Sequence, residues 1–408
     1  MVSKVIDALL DVIIVGAGLA GLACAYALRD KRVLLLDKNS YAGGRVLTQN
    51  FQSFRFDIGA CFAIEADSLP IEFTHNLGPL IKERGPIGIS EDGRIVYADT
   101  PFNCLAAMEL DDQTRSQIRD FANGRFNVDA LIDTRAYQLL NALHHQIHPG
   151  ELADYAPDYQ RHGFHNWFPD HWQVGNGAVV DSIVKQCTAD RLLNVVATSI
   201  EELDVGVKVH FMQAGKESCA VARTAVLATA LTDTARLAQH LMGAECQELL
   251  SKVRYGNFTV VAIMGAAFHK LPEFRYIVTA DRTLSMLVQQ RSLDRRRCVL
   301  LCYYANSACD LVMNMTDDDL LVFTQQELIA VGLDSNLINK VDAAFVHRWV
   351  PGGTVLSPEY LQARNQLPNP LSKKVFLAGD YLSPMGYGTI GAVSSGANTA
   401  KLVRALVD

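Results

Sequence analysis

Short apolar runs separated by glycine, asparagine and charged clusters pattern this chain. Val12–Val15 is a β-branched run that predicts a buried parallel strand and is too short to cross a membrane. Leu19–Arg29 reads as a small-residue helix, and Val33–Leu36 as a second buried strand ending in Asp37. Arg94–Tyr97 has the look of a short strand, and Met108–Ala122 and Asp133–His145 that of helices. A helix at Val179–Cys187 precedes strands at Leu192–Val196, Ile200–Leu203, Val207–Phe211 and Ala220–Ala228, with turns at Asp204–Gly206 and Gln213–Lys216. Phe258–Met264 and Cys298–Tyr304 are apolar strands, Asp317–Val331 is a helix, and Val341–Val350 leads back towards the first part of the fold. Val375–Asp380 is a last buried strand, and a final helix begins at Gly391–Gly396. This alternation predicts the α/β class.

The joint between the first strand and helix changes the picture from architecture to chemistry. Gly16-Ala17-Gly18-Leu19-Ala20-Gly21 is a GxGxxG placed after a strand and opening a helix, where a tight turn aims backbone N–H groups at a pyrophosphate. Asp37 lies 21 residues after Gly16, the spacing that lets a carboxylate on the second strand reach a ribose hydroxyl. Glycines that merely let helix and strand pack closely would not require that acid. Lys38 follows it, and then Gly43-Gly44-Arg45, a glycine pair permitting close backbone approach beside an arginine suited to a phosphate oxygen.

Composition removes several function classes. With 408 residues, 49% of them hydrophobic, the chain can form two or three domains. A net charge of −7 leaves no basic field, and the densest basic cluster, Arg291 with Arg295–Arg297, is short and preceded by Asp294. Nucleic acid is therefore not an expected partner. Nine scattered cysteines without a CxxC suit reduced thiols and a cytoplasmic location, and no run of 18 apolar residues forms an integral membrane segment. His144 and His148 share a helical face, with His162, His165 and His171 further on, but no third ligand at metal spacing completes a site. Packed or solvated histidines are the expectation, with no metal.

GAGLAGL, the acid, the GGR loop and Phe56-Asp57-Ile58-Gly59-Ala60 together resemble the flavin-containing amine oxidase superfamily, which includes protoporphyrinogen oxidases, phytoene-type desaturases and L-amino-acid oxidases. The resemblance implies FAD, with Gly59 and Ala60 near the flavin, Ala197 beside Val196 at the adenine, and Gly379 with Asp380 at the ribityl or pyrophosphate. It also implies that the helix carrying Thr389, Ile390 and Ala392 points its N-terminus at the flavin edge that gains negative charge on reduction. Its fold is a Rossmann-like FAD-binding domain (residues 1–61, 172–250 and 349–408) with an inserted α+β substrate domain (62–171 and 251–348).

Where monoamine-type relatives place an aromatic pair over the flavin, this chain has Val355 and Thr389, with Tyr387 two residues away. Thr354 stands where some relatives carry a flavin-linking cysteine, so the expected FAD is non-covalent. Phe258 and Thr259 occupy the neighbourhood of the relatives' lysine, and Lys252 comes too early. Trp349 and Tyr387 are the substrate-pocket candidates, with core packing as the alternative. The expected activity is hydride transfer from an amine or amino acid to flavin N5. The alternatives are CH–CH desaturation and a redox-neutral or accessory role for bound FAD. Expected partners are a small-molecule substrate and oxygen or another electron acceptor, with a homodimer left open.

Overall fold

The computed structural model describes residues 9–125, 127–165, 169–383 and 388–408. Leu10–Val15 lies in the middle of the first sheet, parallel to Val33–Leu36 on one side and to Lys216–Leu227 on the other. Asp190–Leu192 extends the sheet in parallel beyond Val33–Leu36. Every residue of Val33–Leu36 is buried, as a strand covered on both faces requires. Alternate residues divide between two cores: Ile13, Val15, Leu34 and Leu36 face one, and Val12, Ile14, Val33 and Leu35 face the other.

Lys216–Leu227 changes neighbour along its length. Its first part closes an antiparallel meander with Gly206–Gln213 and Val195–Leu203, while Ala225–Leu227 pairs in parallel with Val375–Leu377. The two strands expected at Leu192–Val196 and Ile200–Leu203 are instead one, Val195–Leu203, with an irregularity between Ala197 and Ser199. Polar Thr198-Ser199 reads as a break in sequence but is absorbed as a bulge.

The first helix, Leu19–Ala27, packs against the last, Thr389–Val407. They meet so closely that a Cβ on Gly396 would stand 2.0 Å from the Ala20 carbonyl oxygen, so only glycine fits there.

The second sheet runs in the order Ala343–Thr354, Tyr255–Met264, Cys298–Ala305, Met286–Arg291, Tyr276–Thr279, Ile87–Glu91 and Arg94–Ala98. Its pairs are antiparallel except Tyr276–Thr279 with Ile87–Glu91, which joins the two stretches between the cofactor motifs into one sheet. Asp317–Val331 covers one face, and the other meets the helices Asp112–Ala122 and Arg135–His144. Met108–Ala122 is not one helix. Thr100 caps Pro101–Ala107 and Asp111 caps Asp112–Ala122, each through its side-chain oxygen. Among the described residues no helix is long and apolar enough to cross a membrane.

Candidate cofactor and substrate site

The glycine turn is built as its spacing requires. Gly16 has φ +109°, and a Cβ there would meet the Ala228 carbonyl oxygen at 2.5 Å; one on Gly21 would meet the Gly16 oxygen at 1.9 Å. Gly18 differs. Its φ is −69°, no side chain caps the helix it opens, and a Cβ on it would meet only the Gly44 Cα, at 3.9 Å. Leu19 and Ala20 form the buried first turn. The Ala17 amide donates to one oxygen of Asp37 at 2.6 Å and Asn39 to the other at 2.8 Å. Burial pushes this carboxyl upward against those two bonds. Each oxygen keeps a lone pair for a further donor. The second glycine loop lies across the first, with the Gly43 amide donating to the Ala17 carbonyl at 2.8 Å. At the far side Lys38 pairs with Asp233 at 3.4 Å, and Arg236 donates to the Ala197 carbonyl at 3.3 Å.

Arg45 ties three distant segments. Its guanidinium donates to Asp380 at 2.9 Å and to the Gly352 carbonyl at 3.0 Å, and its own carbonyl accepts from Ala60 at 3.0 Å. The Asp380 charge raises the guanidinium pKa further. Gly59 fits only because it lacks a Cβ, which would lie 2.2 Å from the Arg45 oxygen. Asp380 is 5% exposed and also accepts from Tyr381 at 3.1 Å and Gly388 at 3.4 Å. The Gly379 amide donates to Ser395 at 3.0 Å. Gly388, at φ +97°, opens the last helix without a side-chain cap and has nothing within 4 Å of a Cβ position. Gly388 is exposed, and Thr389, Ile390 and Ala392 are half-buried. Nearby on the strand Ala343–Thr354, the buried Thr354 hydroxyl faces the Tyr255 side chain. Two helix N-termini opened by uncapped glycines, with an arginine between their loops, suit a pyrophosphate and an electron-rich ring edge.

A buried polar node holds the segment after Arg45 in place. Asn176 donates through its side-chain amide to the Ala60 and Phe62 carbonyls, both at 2.7 Å, and accepts from the Ile64 amide at 3.0 Å. Its backbone amide donates to both oxygens of Asp57 at 3.0 and 3.1 Å, and the Thr48 hydroxyl donates to Asp57 at 2.5 Å. Desolvation lifts the Asp57 carboxyl to about 7 despite these donors. Sequence reasoning missed Asn176. Its signal was present, a polar residue between Gly175 and Gly177 at the mouth of a helix, but its partners are more than a hundred residues away.

The second sheet presents a largely aromatic face towards this segment. Trp349 donates its indole N–H to the Ile58 carbonyl at 3.0 Å and lies against His347, ring centroids 3.8 Å apart. Phe258 pairs in register with Trp349 and meets Tyr303 edge-on at 5.9 Å. The buried Tyr303 hydroxyl faces the Cys61 thiol. Burial lowers the His347 pKa, which favours a neutral ring. Thr259 turns away and shares a hydrogen bond with Cys309 at 3.2 Å, while Lys252 pairs with Glu248 at 3.3 Å outside the site. Val355 is a core residue, packed on Gly150. Tyr387 lies outside the described residues.

The profile of the flavin containing amine oxidoreductases matches residues 106–404, and that of the NAD(P)-binding Rossmann-like domain matches residues 14–67. The chain belongs to the flavin-containing amine oxidoreductases. A search of curated proteins found no match. Among solved structures, putrescine oxidase in its wild-type form bound to putrescine has a TM-score of 0.72 at 15% identity, covering 98% of this chain and 99% of that one. Cyclohexylamine oxidase from Brevibacterium oxydans has a TM-score of 0.72 at 15% identity, with 97% and 99% covered. A putative protoporphyrinogen oxidase from Exiguobacterium has a TM-score of 0.73 at 14% identity, with 97% and 98% covered. These likenesses establish the shared fold. As a member of this family the chain is an FAD-dependent oxidoreductase. The glycine turn, Arg45 with Asp380 and the open last helix fit that cofactor. Among the described residues no group of three histidine, cysteine, aspartate or glutamate side chains is placed to hold a metal ion.

Proposed function

We propose that this amine oxidoreductase holds FAD non-covalently and removes hydride from a carbon bearing nitrogen in a small, mostly apolar molecule. Bound FAD supplies the hydride acceptor, which oxygen or another acceptor then reoxidises. The observation carrying this reading is the sheet face formed by Trp349, Phe258, Tyr303 and a neutral His347, with Arg45 already engaged by Asp380. Such a face favours an uncharged amine, the form from which hydride leaves most readily, over an amino-acid carboxylate, which would need a free arginine. It also keeps water from the reacting carbon. The amines named for the putrescine and cyclohexylamine oxidases support nitrogen as the site of oxidation. In this reading Gly16 to Gly21, Asp37, Lys38 and Ala197 hold the adenosine and pyrophosphate. Gly43 to Arg45, Gly59, Ala60, Gly379, Asp380, Thr389, Ile390 and Ala392 hold the flavin end. Nine unpaired cysteines support a reducing, cytoplasmic setting.

A second reading, removal of hydrogen across a CH–CH bond, is favoured by Phe258 and Thr259 at the lysine neighbourhood and by Val355 and Thr389 in place of the aromatic pair. Anaerobic mixing of the purified flavoprotein with panels of neutral amines, amino acids and polyenes separates the two. Bleaching of the flavin by amines alone, with peroxide on admission of air, is the expected result. Bleaching only by polyenes selects the second reading. Acid precipitation should leave all flavin in the supernatant, whereas flavin retained in the pellet would contradict non-covalent binding.

A further inference from the structure

Four histidines and two tyrosines form a stacked array beside the cofactor segment. His144 ends the helix Arg135–His144, and His148 stacks on it with ring centroids 4.2 Å apart. The Tyr155 ring lies 4.4 Å from His144 and 4.5 Å from His148. His162 continues the stack 5.5 Å beyond His148, flanked by Tyr159, and the exposed His165 follows at 5.2 Å. His144 and His148 have no solvent exposure, and neither ring nitrogen of His144 has a hydrogen-bond partner.

The loop carrying this stack rests on the strand end that Arg45 grips. A Cβ on Gly353 would lie 3.1 Å from the Pro149 ring, one on Gly256 would lie 2.3 Å from the Pro149 oxygen, and one on Gly150 would lie 2.9 Å from Val355. Tyr155 belongs to the same core as Val355, Leu356 and Tyr360. Resting on the FAD reading above, we propose that the His144–His148–Tyr155 stack is an acid-operated catch: neutral rings hold Pro149 and Gly150 against Gly353–Val355, and protonation releases that segment and the flavin with it.

The surrounding charges leave an added proton uncompensated. Glu151 is held by His145 at 3.5 Å and by Asn141, Asn306 and Ser307. Asp154, beside Tyr155, is paired with Arg254 at 3.0 Å, and Asp158 faces His162 instead. Burial first, and the neighbouring imidazoles second, hold His144 and His148 well below the usual histidine range. A released ring takes a proton below about pH 6.5 whereas a stacked one does not, so each ring shifts the balance towards release about tenfold per pH unit below that value.

The test follows FAD fluorescence as the holoprotein is acidified from mildly alkaline pH. Wild type should release FAD as the pH falls from about 6.5 towards 5 and rebind it on return. His144→Phe keeps an aromatic ring and loses no hydrogen bond, so it should retain FAD to about one pH unit lower, with unchanged binding at alkaline pH. Tyr155→Phe keeps the ring and both buried histidines and removes only the hydroxyl that faces the Gly150 backbone, so its release should keep the wild-type steepness with pH even where its midpoint moves. Coincident release profiles for wild type and a folded His144→Phe would overturn the catch. If that variant does not fold, NMR titration of the wild-type imidazoles decides: release must coincide with protonation of a buried ring, and release without it overturns the proposal. A wild type that binds no FAD even at alkaline pH defeats the cofactor reading as well, whereas FAD held independently of pH defeats only the catch.

Discussion

Replacing Asn176 with alanine isolates the energy of the node that seats the flavin-side segment. The change deletes three hydrogen bonds, two donated to Ala60 and Phe62 and one accepted from Ile64. At about 1 kcal/mol each these sum to about 3 kcal/mol, and stranding the buried Ile64 amide adds about 1 kcal/mol. The Ala60 and Phe62 carbonyls lie at a partly accessible edge and can be rehydrated, so no further penalty is charged to them. The expected loss is about 4 kcal/mol, a large share of a protein's usual margin. The assay is urea unfolding of the apoprotein, read as a shift in midpoint at unchanged slope, paired with flavin content after purification. Asn176→Asp is the informative companion. It keeps the acceptor for Ile64 but turns a carboxylate towards two carbonyl oxygens, so its deficit should match that of alanine at alkaline pH and shrink on acidification as the carboxyl gains a proton. An Asn176→Ala protein destabilised by less than about 1 kcal/mol would refute the view that this residue fixes the segment.

Other substitutions probe separate parts of the site. Gly18→Ala should leave stability within about 0.5 kcal/mol, since its φ is ordinary and its Cβ space is open, yet weaken FAD binding tenfold or more, measured by flavin titration of the apoprotein. Unchanged affinity would mean the pyrophosphate runs elsewhere. Gly21→Ala, with its Cβ 1.9 Å from a carbonyl oxygen, should instead cost about 3 kcal/mol or more in apoprotein stability. Arg45→Met should lower stability by only about 1–2 kcal/mol, because the guanidinium is partly exposed, but yield largely colourless protein. Trp349→Phe removes the bond to Ile58 and should cost about 1 kcal/mol. A role in the pocket would add a rise in KM, whereas a purely packing residue would leave KM unchanged.

Much of the cofactor half was legible because its signals are local. A glycine turn, a run of four apolar residues and an acid at fixed spacing define Leu10–Val15, Leu19–Ala27 and Val33–Leu36 within a residue or two. The pairing of Ala225–Leu227 with both Leu10–Val15 and Val375–Leu377 was not legible, since nothing in Val375–Leu377 names its neighbour. In the substrate half the i, i+4 spacing of His144 and His148 was visible, but the stack is completed by Tyr155 and His162, which only tertiary folding brings in. Met286–Arg291 went unread because its run carries Gln289, Gln290 and Arg291. All three are buried, satisfied by partners such as Asp57, Cys61, Glu83 and the Leu271 carbonyl rather than by water. Such residues look like a surface until their partners are known.

The close contact of the first and last helices at Ala20 and Gly396 imposes an order of events during synthesis. A nascent chain can form the glycine turn once residues 10–37 have emerged, yet the opposite wall, with Asp380 and the open end of the last helix, does not exist until residues 375–407 are made. The flavin therefore loads only after both segments have been made. Until then, the apolar flank of the first helix has no permanent cover and is the surface a chaperone would protect.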